Sequence, residues 1–290
     1  SPVQADIPAA IAVAPDDTVW FTIEFSHAIG RVRGIEALRG GQIERIDKGS
    51  ENLEPLGLDV GRDGSVWFTD APVRKISRIK PDGKIESVDL ATPIAKLGKL
   101  AVAADGAVWF AEGSMYSLTR YKDGQLKRHT VETARGNPYA VAVDRSGNAW
   151  ATISNANELM RVTPQGEITA IDVPTYGSAP GDIAVDGAGA VWFMQFRTNK
   201  LARYADGKFE EYPIPGEKGG VAGLAVAADG AVWFAMLRRH ALGRFHRGAF
   251  KEFPLPRADA RPVSVAVDSK GNIWYVDLAG WVGALSAETA

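Results

Sequence analysis

A short apolar run, a polar turn and an aromatic strand follow one another along this chain in a fixed order, many times over. In the clearest copy, Gly223-Leu224-Ala225-Val226-Ala227 is apolar throughout, Asp229-Gly230 is the turn, and Val232-Trp233-Phe234 restarts the apolar pattern. A continuous apolar run bounded by turn residues predicts a strand buried on both faces. Asp-Gly predicts a two-residue hairpin with positive φ. Successive side chains of a strand face opposite ways, so Trp233 and Phe234 are predicted to wedge against different neighbours. Residues 240–245 and 250–255 complete the unit as two further strands joined at Arg247-Gly248. Pro254 and Pro256 fall at the end of the last strand, where an outer edge tolerates a missing donor.

The tryptophan of this unit recurs at positions 20, 67, 109, 150, 192, 233 and 274, in steps of 47, 42, 41, 42, 41 and 41. A period of that size, with a tight turn running into a β-branched and aromatic strand, marks a β-propeller. The expected fold is therefore all-β: one domain over residues 1–290, built as seven blades of four antiparallel strands, here lettered a to d from the axis outward. After Trp274 only one further strand remains, at 281–285. Ala5-Asp6-Ile7-Pro8 reads like the outer strand Ile171-Asp172-Val173-Pro174. Residues 2–7 are accordingly expected to complete the last blade and remove its free edge. The long first step contains an insertion from Arg33 to Gly41, expected as a longer c–d hairpin loop in blade 1.

Composition narrows the chemistry. The chain is 46% apolar and 23% charged, enough for a core and unlike a disordered chain. Lys and Arg number 33 against 35 Asp and Glu, a net charge of −2, so no basic face for nucleic acid is expected. Cysteine is absent, which excludes disulfides, thiolate metal sites and cysteine nucleophiles. No apolar run approaches a membrane span of about 18 residues. A start at Ser1-Pro2 suits a trimmed secretory precursor, so the expected location is periplasmic or secreted. A closed ring has no free sheet edge, and a monomer is expected.

Strand direction sorts the loops onto two faces. The a–b and c–d turns share one face and vary little. The b–c loops and the mouths of strand a share the other, and these positions differ from blade to blade, as expected of a grafted site. A small-molecule, anionic or protein ligand is expected there. Candidate binding residues are Glu24, Lys99, Tyr139, Tyr176, Arg197, Met236, Arg238, Arg239 and Trp281. Asp277 lies between His27 and His240 in repeat position, a set that can work as a base oriented by a carboxylate or as ligands to a cation. The competing expectation is that both histidines replace the asparagine usual at that point and bond to loop backbone. Asp70, Glu112, Asp182 and Asp277 can offer oxygen to Mg or Ca. Lys99 and Asp182 are expected to point at the axis and neutralise each other. His129 and His246 are expected as surface residues.

Pro213-Ile214-Pro215 and Pro254-Leu255-Pro256 at the ends of strand d, with Ala241-Leu242-Gly243-Arg244 in strand c, resemble the repeat of the streptogramin B lyase (virginiamycin B lyase) family. The resemblance covers essentially the whole chain. It implies a seven-bladed propeller that opens a cyclic depsipeptide by elimination, with a histidine base, a nearby glutamate and magnesium. The histidine is expected directly after the proline that opens strand a in late blades. The residues at that point are Ala9, Leu56, Gly98, Tyr139, Gly181, Ala222 and Val263. None is histidine, which favours a binding propeller; the alternative is a metal-dependent lyase or lactonase acting on a cyclic ester.

Overall fold

The chain folds as a run of antiparallel meanders, each strand hydrogen-bonded to the next in sequence. The computed structural model describes residues 8–23, 28–47, 56–70, 72–92, 96–131 and 136–288. Among them are six four-stranded sheets and one of three strands. Strand a of each blade lies against strand a of the next, and that of blade 7 (Pro262–Val267) returns to that of blade 1 (Ile11–Val13), which closes the ring. This is the seven-bladed β-propeller that the period predicts. The third strand of blade 7 is Trp281–Leu285, as expected; residues 2–7, expected beside it, lie outside the described residues.

Blade 6 explains the repeat physically. Its strands are Val221–Val226, Val232–Met236, Ala241–His246 and Ala249–Pro254. Phe234 packs with Trp192, Met194 and Leu201 of blade 5, whereas Trp233 packs with Val265 and Ile273 of blade 7. The two aromatics thus join the blade to both neighbours, as alternation requires. Gly243 stands opposite Phe234, and a Cβ there would lie 2.3 Å from the ring. The next residue, Arg244, stands opposite Trp233 with its guanidinium 5.6 Å from the indole centroid. The arginine opposite tryptophan recurs in blades 1 to 5 as Arg31, Arg78, Arg120, Arg161 and Arg203, whereas opposite phenylalanine Ser77, Thr119 and Ala202 replace the glycine in blades 2, 3 and 5.

Two local expectations are corrected. The a–b turn is a three-residue loop, not a two-residue one. Gly230 N–H donates to Ala227 O at 2.9 Å, Ala227 N–H donates to Ala231 O at 2.8 Å, and Gly230 has φ 85°. Only the glycine takes positive φ; Asp229 instead accepts the Ala231 N–H at 3.0 Å. That is a type I turn followed by a glycine bulge. The two-residue form with both φ positive occurs at c–d turns, as at Asp206 (φ 50°) and Gly207 (φ 74°). The second correction concerns the blade 1 insertion, which contains a short helix, Gly34–Arg39. Ile35, Leu38 and Ile43 there pack on the core shared by blades 1 and 7.

Candidate functional site

The b–c loops turn through a left-handed residue. Arg74, Tyr116, Asn157, Asn199 and His240 all have φ between 51° and 62°. Asparagine suits this conformation, and its side chain can bond locally. Asn157 Nδ2 donates to Val173 O at 2.9 Å and to Thr175 O at 3.1 Å, tying the b–c loop to the following d–a loop. Asn199 does the same at Ile214 O, 3.2 Å away. His240 Nδ1 donates to Ala260 O at 2.6 Å. A carbonyl only accepts, so the proton sits on Nδ1. His240 therefore holds a loop as the asparagines do.

The acid expected beside it is occupied elsewhere. Asp277 is buried; its carboxylate accepts the Ala279 N–H at 2.6 Å and a bond from the Arg261 backbone. Burial pushes its carboxyl pKa up. No hydrogen bond joins Asp277 to His240 among the described residues. His27 and Glu24 lie outside the described residues.

The other acidic candidates stand apart. Glu112 is wholly buried and accepts from Thr119 Oγ1 at 2.8 Å, Arg128 Nε at 2.8 Å and Arg128 Nη2 at 3.1 Å. Asp182 pairs with Lys99 at 2.8 Å and accepts the Leu224 N–H of the next blade at 2.9 Å. Asp70 is buried at the end of strand b in blade 2. No group of three or more histidine, aspartate or glutamate residues able to hold a metal occurs among the described residues. The donors needed for Mg or Ca are thus spread around the ring, and those of Glu112 and Asp182 are already bound by cations. Among the described residues these acids are not gathered as ligands to one divalent cation.

Lys99 and Asp182 meet across the channel mouth from blades 3 and 5, as expected. Burial lowers the Lys99 pKa, but Asp182 and then Tyr139 outweigh it, leaving the ammonium above its ordinary value. Below them the channel encloses about 420 Å3, lined by strand a of all seven blades. The charged groups among its lining residues are Lys99, Asp182 and Asp59.

The loops of this face expose several large apolar side chains. Leu56 and Tyr139 are each 41% exposed, Met115 and Phe196 37%, Tyr116 47% and Tyr176 97%. All six sit in b–c loops, d–a loops or strand-a mouths of blades 2 to 5. The Tyr139 ring meets Phe196 edge-on, centroids 6.4 Å apart. Phe196 lies on Gly181, where a Cβ would be 2.1 Å from the ring. Leu56, Met115, Tyr116 and Phe196 were not among the sequence candidates, although an apolar or aromatic residue at a normally small or polar rim position is itself the signal.

The remaining candidates divide between the core, ion-paired positions and the open surface. Met236 is buried in the core between blades 5 and 6, so its place in a ligand rim is corrected. Arg239 is bound to Glu252 and to Pro215 O, whereas Arg238 and Arg197 are exposed. Trp281 is covered by the Arg257 guanidinium, 4.0 Å from the ring centroid. His129, expected at the surface, is buried against Trp109 at 5.4 Å.

The virginiamycin B lyase family model matches residues 1–121 and 97–290. The chain belongs to the virginiamycin B lyase family. A virginiamycin B lyase from Nocardia farcinica is 30% identical over 209 residues, covering 72% of this chain and 70% of that protein. A streptogramin B lyase structure superposes with a TM-score of 0.91 at 22% identity, over 97% of this chain and 94% of the other. A catalytically inactive His-to-Ala variant of the Staphylococcus aureus virginiamycin B lyase, with quinupristin, gives 0.90 at 24% identity, over 99% and 98%. At such identities the two solved structures establish the fold. In this member of the virginiamycin B lyase family, the positions after the strand-a opening in blades 6 and 7 are the half-buried Ala222 and Val263.

Proposed function

We propose that this protein is a binding member of the virginiamycin B lyase family, which holds a small molecule with aromatic or apolar surface on its b–c loop face. The observation that carries this reading is the apolar rim, Leu56, Tyr139, Phe196 and Tyr176, around the Lys99–Asp182 pair. Aromatic rings supply large contact area at little entropic cost, and a few convergent polar groups orient the ligand. Elimination requires a base within reach of the proton it removes. At the two late-blade positions where the resemblance expects that base, Ala222 and Val263 offer none.

A second reading, ring-opening of a cyclic depsipeptide, is favoured by the family match and the Nocardia farcinica relative. One experiment separates the two. The protein is titrated calorimetrically with quinupristin, and the mixture is then followed by mass spectrometry with magnesium and with EDTA. Binding that weakens in Tyr139→Ala and Phe196→Ala, with the ring left closed in both buffers, is the expected result. Ring-opening that EDTA abolishes would replace the binding reading with the lyase one.

A further inference from the structure

The face of a–b and c–d turns carries a groove at the seam of blades 1 and 2, with a volume of about 490 Å3. The corresponding seam of blades 3 and 4 encloses about 170 Å3. Charge is arranged differently in the two. At the smaller seam the strand-c cations Arg120 and Lys122 both turn onto the a–b turn acid Asp105, at 3.3 and 2.6 Å. In blade 1 the equivalent Arg31 and Arg33 turn away from Asp16 onto Glu44 in strand d, at 2.5 and 3.5 Å. Arg33 is also the residue on which the inserted helix Gly34–Arg39 begins, so the insertion fixes its place at the rim.

The groove is left with surplus positive charge. Glu44 is shared by Arg31 and Arg33, and Glu86 by Arg78 and Lys80. The exposed Arg62 has no ion pair or hydrogen bond among the described residues. With the two lining acids Asp16 and Asp63 counted, five cations face four acids, a surplus of one; Asp63 is turned onto the Ser65 N–H and hydroxyl at 3.0 and 2.9 Å, and Asp16 onto the Thr18 N–H at 3.0 Å. Between these charges the walls are apolar, formed by Pro15, Ile46, Ile79 and Pro81. Guanidinium forks match the geometry of phosphate and carboxylate oxygens.

We infer that this groove is a second binding site, for a small organic oxyanion: a phosphate or carboxylate on an apolar body, with Arg33, Arg62 and Lys80 on the charged end. It lies on the opposite face from the apolar rim, so the two sites can fail separately. Phenyl phosphate, benzoate and inorganic phosphate are titrated by calorimetry into the full chain at low and at high salt. Phenyl phosphate is expected to bind more tightly than inorganic phosphate, and more weakly as salt rises. Arg33→Gln with Arg62→Gln is expected to raise its Kd about tenfold or more, while Tyr139→Ala leaves it unchanged. Both arginines are on the surface, so a lost signal in a cooperatively melting variant reports the site and not the fold. No heat from any of the three probes at millimolar concentration, or a Kd the double variant leaves unmoved, overturns the assignment.

Discussion

Asp17 and Ser269 meet across the closure of the ring. The Ser269 N–H and hydroxyl donate to the two carboxylate oxygens of Asp17 at 2.9 and 2.6 Å, although the residues are 252 positions apart. Asp17 sits at φ 62°, where the other a–b turns place glycine. The Ser269 hydroxyl, then its N–H, hold the Asp17 carboxyl below its usual pKa. Asp17→Gly keeps the turn and removes the contact, and Ser269→Ala removes the hydroxyl but keeps the N–H, so their coupling in a double-mutant cycle isolates the hydroxyl bond of the clasp. The expected coupling is about 1 kcal/mol, scaled down for partial exposure. A carboxyl with a depressed folded pKa stabilises above its unfolded value, near 3.9, and loses that stabilisation as pH falls through the lower one. Zero coupling at pH 7, or an undiminished one at pH 2, would remove the clasp from the account of ring closure.

The scaffold was legible because each of its rules is local. Trp233 and Phe234 alternate within one strand, and Gly243 and Arg244 answer them across the next; four residues state the blade and its seams. The turn chemistry was only half legible. Asp-Gly announces a positive φ, but whether one or two residues adopt it depends on the strand register closing around it, as at Ala227 and Ala231. The site was the least legible part. Met236, three past its tryptophan, ends its strand and is buried in the core, as is its equivalent Gln195, whereas Phe196, four past, begins the loop and lies on the surface over Gly181. Alternation continues to the last residue of the strand, and beyond it repeat position no longer gives the direction a side chain takes. His240 teaches the same lesson, since its role depends on which carbonyl the next loop presents.

Glu112, an acid at a candidate repeat position, is bound by Thr119 and Arg128 within its own blade. Its side chain is fully enclosed, and its charge is matched by Arg128, which also donates to Leu90 O at 2.6 Å. Arg128→Ala leaves a buried carboxylate without its cation, and is expected to cost about 3 kcal/mol. Adding Glu112→Gln to that variant removes the stranded charge and is expected to recover a large part of the loss. Chemical denaturation of the three variants measures this. Equal stabilities for Arg128→Ala and the double variant would mean that Glu112 is not held as a charge.

Asp59 shows the opposite electrostatics, on the wall of the channel. Burial raises its carboxyl pKa to about 6, against the bonds it accepts from the Val102 and Val60 N–H groups. Its folded pKa exceeds its unfolded one, so on acidification the folded state takes up the proton first. The charged carboxylate therefore costs stability above about pH 6, and the cost is relieved as pH falls towards about 4, by on the order of 1–3 kcal/mol. Relative to the wild type, Asp59→Asn is expected to fare better at pH 8 than at pH 4, whatever its stability at either. Carboxyl carbon NMR of the wild type should give a midpoint near 6; an ordinary midpoint near 4 would remove the basis of this pH dependence.

His240 gives the test that bears most directly on whether an imidazole on this face does chemistry. Its conformation, φ 53°, and its bond to Ala260 O match what Asn157 and Asn199 do in blades 4 and 5. Asparagine is tolerated in the left-handed region better than most residues, and its Nδ2 can replace Nδ1–H as donor. His240→Asn is therefore expected to change stability by less than about 0.5 kcal/mol and to leave ligand affinity and its pH profile as they were. His240→Ala loses the bond, with an expected cost of about 1 kcal/mol. The loss should appear as faster amide exchange in residues 256–261, which the histidine ties down. An asparagine variant that folds as stably as the wild type yet loses binding, or a ring-opening activity, would assign the imidazole a chemical task that its bond to Ala260 does not account for.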